Sequence, residues 1–148
     1  MVFEALLRLF SRLQIAVFRR TNGRAMSALR GMPILLLTTV GRKSGKRRTS
    51  PLMYIRDGER YVITASNNGK DRLPAWFHNL RTSPQVQIEV PGKRLDVFAT
   101  VATQVERDRL WPQLASKAPF FDGYQRSTSR VIPMVLLKPR EVGRRSAA

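Results

Sequence analysis

The first twenty residues carry apolar side chains at steps of three and four, the spacing of one face of an α-helix. The apolar positions are Phe3, Leu6, Leu7, Phe10, Leu13 and Val17, and the polar positions opposite them are Glu4, Arg8, Ser11, Arg12 and Arg19. This pattern predicts an amphipathic helix. Because Arg8 and Arg12 interrupt the apolar run, we do not expect it to span a bilayer or to act as a signal peptide. Two interpretations remain open: the helix lies on an anionic membrane surface, or it packs on its own domain.

After Asn22-Gly23 the hydrophobic pattern changes from helical spacing to short β-rich runs. The first run, Ile34–Val40, is continuously apolar or β-branched, which is typical of a strand buried on both faces. Asp57-Gly58 and Pro91-Gly92 are placed as hairpin turns between such runs. The sequence therefore predicts six strands, which are Ile34–Val40, Thr49–Arg56, Arg60–Ser66, Gln85–Val90, Arg94–Thr103 and Pro133–Lys138.

Two further helices are predicted among the strands. Pro74 opens a short helix over residues 74–81, since proline is well tolerated in a first helical turn, and Val105–Lys117 forms the second. Six antiparallel strands with an N-terminal amphipathic helix and two peripheral helices predict an α+β domain built on a small barrel. The expected regions are residues 1–30 as basic helix and linker, residues 31–139 as the barrel domain, and residues 140–148 as a mobile basic tail.

The charge indicates an anionic partner. The chain has 148 residues, a formal net charge of +17 and 43% hydrophobic residues, which describes a folded basic domain and not a disordered segment. Five bases, Arg42, Lys43, Lys46, Arg47 and Arg48, fall within one short stretch between the first two strands. The chain has no cysteine and one histidine, His78, which excludes disulfides and zinc fingers and leaves no metal site predicted.

Familiar catalytic motifs are absent from the sequence. The run from Gly41 to Lys46 resembles a phosphate-binding P-loop, but its glycines are one residue too close, and Arg47 stands where a magnesium-binding Ser or Thr is required. The sequence contains neither G-x-G-x-x-G nor G-x-S-x-G, so a Rossmann cofactor site and a serine-hydrolase turn are both unsupported. No pair of acids stands out as a general acid and base.

Three features remain that together suit an anionic cofactor with a flat ring. They are the basic turn, the small side chains of Thr64, Ala65 and Ser66 at a strand end, and the helix that contains Trp76. Arginine forks and exposed backbone N–H groups bind phosphates and carboxylates, whereas apolar strand ends beside an indole suit an aromatic ring. For the basic turn taken alone, a solvated hairpin tip remains an alternative explanation.

Four segments of the sequence are similar to those of a known family. The segments LLLTTVGRKSGKRRTSPL, DGERYVITASNNG, PAWFHNL and WPQL…YQRSTSRVIPMVLLKP occur in order over about residues 30–139. Together they resemble the deazaflavin-dependent nitroreductase and quinone reductase family of actinobacteria, which uses coenzyme F420. The resemblance implies a split β-barrel of the FMN-binding-protein type. It also implies an 8-hydroxy-5-deazaflavin cofactor that carries a phosphate and an oligoglutamate tail.

The resemblance further implies a set of site residues. The anionic arm of the cofactor would meet the basic turn, and the rest of the cofactor would lie along the second and third strands and the short helix, with Phe121 on the substrate side. The implied cofactor-binding residues are Arg42, Lys43, Ser44, Arg48, Thr49, Ser50, Pro51, Leu52, Met53, Thr64, Ala65, Ser66, Asn67, Ala75, Trp76, Phe77, His78, Asn79 and Phe121. Tyr124 is the candidate proton donor, and no metal is implied.

Some positions depart from relatives that reduce nitroimidazoles. Those relatives carry several tyrosines in the C-terminal segment, whereas this chain has Ala118, Phe121 and one phenol, Tyr124. Asn67 also replaces a lysine and Met53 a tyrosine. We therefore expect hydride transfer from reduced F420 to a hydrophobic quinone such as menaquinone, with a nitroarene as the second acceptor class.

The sequence leaves other functions open. An FMN- or haem-binding split barrel, with or without catalysis, would use the same fold. A basic nucleic-acid-binding barrel would explain the charge, but no pair of exposed aromatic residues lies on a predicted strand face, so nucleic acid is disfavoured. The expected location is the cytoplasm, with peripheral association at the inner face of the cell membrane through the N-terminal helix.

Overall fold

The computed structural model describes residues 2–140 of the chain, with side chains from Ala5 onward. Four α-helices and one single-turn 3₁₀ helix, Asn67–Gly69, accompany an antiparallel sheet. The α-helices are α1 (Val2–Arg20), α2 (Ala75–Thr82), α3 (Gln104–Lys117) and α4 (Phe120–Arg126). The strands are β1 (Ala28–Leu29), β2 (Met32–Val40), β3 (Arg47–Met53), β4 (Ile55–Asp57), β5 (Arg60–Thr64), β6 (Gln85–Val90), β7 (Lys93–Val101) and β8 (Met134–Pro139).

The strands form a barrel whose ring is completed through one bent segment. Hydrogen-bonded neighbours follow the order β1-β2-β6-β7-β8-β5-β4, and β3 pairs with the other edge of β2. β3 and β4 are separated by Tyr54 alone, so the chain turns there from a ladder with β2 to a ladder with β5. The backbone N–H of Tyr54 donates to the carbonyl of Pro33 at 3.2 Å, which holds the bend. The predicted α+β split barrel is thereby confirmed.

Each of the six predicted strands is present, with ends that agree or are shifted by one or two residues. The second predicted strand, Thr49–Arg56, is divided into β3 and β4 because its two halves pair with different neighbours. The third ends at Thr64, because its next residue, Ala65, donates its N–H to the carbonyl of Pro133 but Pro133 has no N–H to donate in return. The short strand β1 and the helix α4 were not predicted, and α4 contains Gly123, a residue that usually weakens a helix.

The hydrophobic core has two parts. Inside the barrel, strand residues such as Leu35, Ile63 and Leu137 pack together, and Trp76 and Phe77 of α2 cover one end. Outside the barrel, the opposite faces of β5 and β8 pack against α3 and α4, through residues that include Val62, Leu136, Leu110, Leu114 and Phe121. β2 is buried on both faces, as its continuous apolar run predicted.

The C-terminal half of α1 is anchored to the barrel. Phe18 is 2% exposed, and Arg19 donates two hydrogen bonds to the carboxylate of Glu89 at 3.0 and 2.8 Å. Gly23 ends the helix at φ +81°, where a Cβ atom would lie 2.4 Å from the Cα of Pro91. A side chain at this position would therefore push the end of α1 away from the β6–β7 hairpin.

The outward face of α1 remains apolar and exposed. Leu6, Leu9, Phe10 and Leu13 are 58%, 63%, 52% and 58% exposed. The structure therefore shows a helix that packs on its own domain through one face and leaves an apolar stripe on another. Among the residues described, no helix is both long and apolar enough to cross a membrane. The predicted boundaries at residues 30/31 and 139/140 stay predictions, and 141–148 of the basic tail lie outside the described residues.

A cluster of charged side chains joins the end of β4 to α3. The Nη1 and Nη2 atoms of Arg109 each donate to one oxygen of Asp57 at 3.0 Å, and Arg60 bridges Asp57 to Glu106. α3 begins with a capping box in which the hydroxyl of Thr103 accepts from the N–H of Glu106. The hydrogen bonds from Arg109 and then from Arg60 lower the pKa of Asp57 to about 2.

We expect Asp57→Asn to lower the free energy of unfolding at pH 7 by about 1 kcal/mol, since the ion pairs face solvent. A folded-state pKa of about 2 lies below the ordinary value of 3.8, so the carboxylate stabilises the fold above pH 4. That stabilisation is lost as the pH falls through about 2. Urea unfolding should show that the free energies of unfolding of the native chain and of the Asp57→Asn variant converge as the pH falls from 7 to 2. A constant difference between these free energies across the range would contradict the assignment.

Candidate functional site

The turn between β2 and β3, residues 41–46, is held in a compact form by its own backbone. The N–H of Gly41 donates to the carbonyl of Lys46 at 2.7 Å, and the N–H of Gly45 donates to the carbonyl of Gly41 at 2.8 Å. Gly45 has φ +70°, a conformation that strongly favours glycine. The hydroxyl of Ser44 accepts from the N–H of Lys46 at 3.2 Å. The basic turn is therefore a defined structure and not a loose hairpin tip.

Asn79 of α2 fixes this turn against the barrel. Its side-chain oxygen accepts a hydrogen bond from the backbone N–H of Arg42 at 3.0 Å, and its side-chain nitrogen donates to the hydroxyl of Thr39 at 3.1 Å. Asn79 is 6% exposed, so both bonds are shielded from water. Its amide thereby links α2, β2 and the turn at one point.

A large basic cavity opens beside the turn. It has a volume of about 980 Å³ and lies between α1, the turn, β3 and the start of α2. Its lining comprises Arg8, Arg12, Ile15, Ala16, Arg19, Gly41, Arg42, Lys43, Ser44, Arg47, Arg48, Thr49, Ser50, Ala75, Trp76 and Asn79. Seven of these residues are arginine or lysine and none is acidic, so the lining of this cavity is strongly positive.

Most of these cations have no counter-ion among the side chains that the structure describes. Arg19 pairs with Glu89, whose hydrogen bond raises the pKa of the guanidinium above its ordinary value, and Arg47 donates to Gln87 at 3.0 Å. Among the side chains of residues 5–140, no acid forms an ion pair with Arg12, Arg42, Lys43 or Arg48. The cavity is therefore arranged for a ligand that brings its own negative charges.

A second, smaller cavity is lined mainly by apolar and aromatic side chains. It has a volume of about 200 Å³ and lies among α1, β3, the end of β5 and α4. Its lining comprises Gln14, Leu29, Ile34, Pro51, Leu52, Met53, Thr64, Ser66, Asn68, Phe120, Phe121 and Tyr124. A small cavity with this lining suits a flat, weakly polar molecule.

Three aromatic rings of α4 pack together at this second cavity. The rings of Phe120 and Phe121 stack with centroids 5.0 Å apart, and the ring of Tyr124 meets both edge-on at 5.8 and 5.5 Å. The guanidinium of Arg30 lies 4.0 Å from the centroid of the Phe120 ring. These contacts fix the ring of Tyr124 against α4, so its orientation is set before a ligand binds.

The loop of residues 66–70, which packs against α4, is held in place by one arginine and one glycine. The guanidinium of Arg130 donates to the carbonyls of Lys70 and Ser66, both at 2.9 Å. Gly69, at φ +78°, lies so close to α4 that an added Cβ would come within 3.0 Å of the Cα of Tyr124. The loop that contributes Ser66 and Asn68 to the second cavity is therefore in direct contact with the helix that carries Tyr124.

β3 is the wall that the two cavities share. Thr49 and Ser50 line the basic cavity, and the next three residues, Pro51 to Met53, line the apolar cavity. The hydroxyl groups of Thr49 and Thr38 are 2.8 Å apart and form a hydrogen bond across the β2–β3 ladder. A molecule that extended along this strand would have a basic surface at one end and an aromatic surface at the other.

The predicted site residues divide into three groups in the structure. Nine line the basic cavity: Arg42, Lys43, Ser44, Arg48, Thr49, Ser50, Ala75, Trp76 and Asn79. Seven line the apolar cavity: Pro51, Leu52, Met53, Thr64, Ser66, Phe121 and Tyr124. Four line neither. Ala65 and Phe77 are buried in the core, Asn67 donates to the carbonyl of Arg72, and His78 faces a separate surface hollow with Arg81.

Sequence reasoning missed the contribution of α1 to the basic cavity. Arg8, Arg12, Ile15 and Arg19 lie at steps of three and four, so helical periodicity alone places them on one face. The sequence could not show which way that face would point. Asn68 and Phe120 of the second cavity were missed for a different reason, since both belong to short helical turns that the pattern did not predict. Among the described residues, no group of three or more His, Asp or Glu is arranged to hold a metal ion.

Comparison with known proteins identifies the family. A family model described as F420H(2)-dependent quinone reductase matches residues 10–139. The chain is 43% identical over 133 residues to the F420H(2)-dependent quinone reductase Rv1261c of Mycobacterium tuberculosis, covering 87% of this chain and 89% of that protein.

Solved structures agree with this match. A structure titled F420-H2 dependent reductase (FDR-A) is 34% identical, with a TM-score of 0.66 over 72% of this chain and 94% of that one. HutZ, a haem storage protein of Vibrio cholerae, shares the fold at 17% identity and a TM-score of 0.56, covering 85% of this chain and 89% of that one. The chain belongs to the F420H(2)-dependent quinone reductase family and is an oxidoreductase whose cofactor is coenzyme F420.

Proposed function

We propose that the basic cavity binds coenzyme F420 and that the apolar cavity receives the quinone, with menaquinone as the physiological acceptor class. The observation that carries this proposal is the pairing of two cavities of opposite chemistry along one strand, β3. Hydride transfer needs two rings held in contact at roughly 3–3.5 Å, and a shared wall is a simple way to bring them together.

The residues of the basic cavity fit the cofactor. F420 carries a phosphate and an oligoglutamate tail, and the cavity presents seven cationic side chains and no acid. Arg42, Lys43, Ser44 and Arg48 would hold the anionic arm, because guanidinium and ammonium groups bind phosphate oxygens through charge-assisted hydrogen bonds. The deazaflavin ring would extend along β3 toward Met53, with Trp76, which is 8% exposed, closing the far wall.

Reduced F420, when bound, supplies the hydride, so the chain needs no nucleophile or metal of its own. The contribution of the protein is to orient the two rings and exclude water. The bend at Tyr54 and the contact of Gly69 with α4 fix the two walls of the apolar cavity. Rigid walls favour transfer because little free energy is then lost in ordering the reactants.

Tyr124 is the proposed proton donor. Reduction of a quinone adds one hydride and one proton, and the proton must reach a quinone oxygen. Tyr124 is the one phenol that lines the apolar cavity, and its ring is fixed by Phe120 and Phe121. We propose that its hydroxyl gives the proton to that oxygen and is reprotonated from water.

The other functions left open by the sequence are less well supported. A nitroarene would enter the same apolar cavity, but no described residue distinguishes it from a quinone. Nucleic acid binding would need a convex or grooved basic surface, whereas the strongest cluster of bases lines a cavity beside apolar walls. The binding of haem or FMN would be supported only by the similarity of the fold.

The exposed stripe of α1 supports a proposal of peripheral membrane association. Leu6, Leu9 and Leu13 are each more than half exposed on a chain of net charge +17. An apolar stripe on a strongly basic protein suits the surface of an anionic bilayer, which attracts cations and accepts apolar side chains. An enzyme placed there would meet membrane-dissolved quinones directly.

Neutralising the basic turn tests the cofactor site. We expect the triple substitution Arg42→Gln, Lys43→Gln and Arg48→Gln to raise the Kd for F420 about a hundredfold, because partly exposed ion pairs contribute up to about 1 kcal/mol each. The measurement is quenching of coenzyme fluorescence at low and high salt. A matched control replaces Lys93, Lys117 and Lys138, exposed lysines outside the cavity, with glutamine and should leave binding unchanged. Equal affinity of the triple variant and the native chain would contradict the assignment.

Replacement of Tyr124 by phenylalanine tests the proton donor. We expect Tyr124→Phe to lower kcat for menaquinone analogues by about tenfold to a hundredfold while leaving the Kd for F420 unchanged, since the aromatic packing is kept and the hydroxyl is lost. Stopped-flow oxidation of reduced F420 measures the effect. Unchanged turnover between pH 6 and pH 9 would show that the proton comes from elsewhere.

Polar substitution on α1 tests membrane association. We expect Leu9→Gln with Leu13→Gln to reduce flotation with vesicles that contain anionic lipid, because the two apolar side chains that would enter the bilayer are lost. The control is Val105→Gln with Val131→Gln, which removes two apolar side chains that are 80% and 63% exposed elsewhere. Equal flotation of both variants would refute the role of α1.

A further inference from the structure

The N-terminal helix contributes to the basic cavity together with the basic turn, β3 and α2. Arg8, Arg12, Ile15, Ala16 and Arg19 of α1 all line the cavity. These residues follow one another at helical spacing, so α1 presents one continuous face to the cavity. That face differs from the apolar stripe that contains Leu9 and Leu13. The helix thus has a part in ligand binding that its amphipathic pattern alone does not indicate.

The anchors of α1 determine where its arginines lie. Phe18 is buried on the barrel, Arg19 is tied to Glu89, and Gly23 is in close contact with Pro91. A helix rises about 1.5 Å per residue, so Arg12 and Arg8 lie about 9 and 15 Å from Phe18 along the axis. The two arginines therefore extend the positive lining of the cavity well beyond the point where α1 is attached.

The number of positive charges exceeds what a phosphate group requires. A phosphate ester carries one or two negative charges. Arg12, Arg42, Lys43 and Arg48 form no ion pair with any side chain among residues 5–140, and Arg8 lines the same cavity. Arginines one turn apart repel each other and destabilise a helix, so their placement toward a cavity whose described lining contains no acid favours an anionic ligand. Several further carboxylates would supply that compensation.

On the basis of the proposed function, we propose that Arg8 and Arg12 of α1 bind the carboxylates of the oligoglutamate tail and make the protein selective for coenzyme with a long tail. The basic turn holds the part of the cofactor nearest the ring. The arginines of α1 meet the carboxylates that follow, through charge-assisted hydrogen bonds. Because both guanidinium groups are exposed, this binding is weakened by salt.

Coenzyme preparations of different tail length provide the test. The Kd of the full-length chain is measured by fluorescence quenching for F420 with a single glutamate and for F420 with a long tail. We expect the native chain to bind the long-tailed form about tenfold more tightly at low salt, and less so at high salt. The double variant Arg8→Gln and Arg12→Gln should bind both forms with the affinity that the native chain has for the short one.

A matched control separates this effect from a change in overall charge. Arg20 and Arg24 are exposed, belong to the same end of the chain and do not line the cavity, so Arg20→Gln with Arg24→Gln should keep the preference for the long tail. Unchanged affinity of the Arg8 and Arg12 variant for the single-glutamate form also shows that it is folded.

Distinct results overturn the two proposals. If the native chain binds the single-glutamate coenzyme but shows no preference for the long tail, the role of α1 is refuted and the proposed function stands. The same conclusion follows if the Arg8 and Arg12 variant keeps the preference, or if Arg81→Gln abolishes it, because the tail would then follow α2 past His78. If the native chain binds neither form, the proposed cofactor site itself is refuted.

Discussion

Repulsion among like charges around one cavity is the constraint on which the rest of this structure depends. Seven cationic side chains line the cavity, and its described lining contains no acid. Although Arg19 pairs with Glu89 beside the cavity, repulsion among the cations raises the free energy of the folded state in the absence of a ligand. Such an arrangement persists only where the backbone that carries the charges is held by other interactions. The hydrogen bonds of Asn79 to the turn, the bend at Tyr54 and the burial of Phe18 provide this support without using the cations of the cavity. The pairing of Arg19 with Glu89 is the one anchor named above that does use such a cation.

The same constraint explains why the polar and apolar parts of the site are separate. A quinone gains its binding free energy mainly from removing apolar surface from water, and this gain is lost where the neighbouring side chains must remain hydrated. Strand β3 resolves the conflict because it lines the basic cavity with Thr49 and Ser50 and the apolar cavity with Pro51 to Met53. One strand thus provides two environments within a few residues.

Much of the fold and a large part of the candidate site could be predicted from the sequence. Strands such as Gln85–Val90 are set by local patterns, and their ends agree because hairpin turns are encoded locally. Sixteen of the twenty predicted site residues line one of the two cavities. Ala65 and Phe77 do not, because matching a sequence motif cannot distinguish a side chain that faces the site from one that supports it in the core.

The contribution of α1 could not be predicted, and the reason is physical. Hydrophobic periodicity identifies the apolar side of a helix, but α1 has three faces, and the buried one contains Gln14 as well as Phe18. Its orientation is determined by contacts distant in sequence, the pairing of Arg19 with Glu89 and of Gly23 with Pro91. Once these contacts fix the rotation of the helix, Arg12 faces the cavity and Leu13 faces solvent. The two faces can then act at the same time, since a bilayer against the leucines would leave the arginines free to meet an anionic ligand.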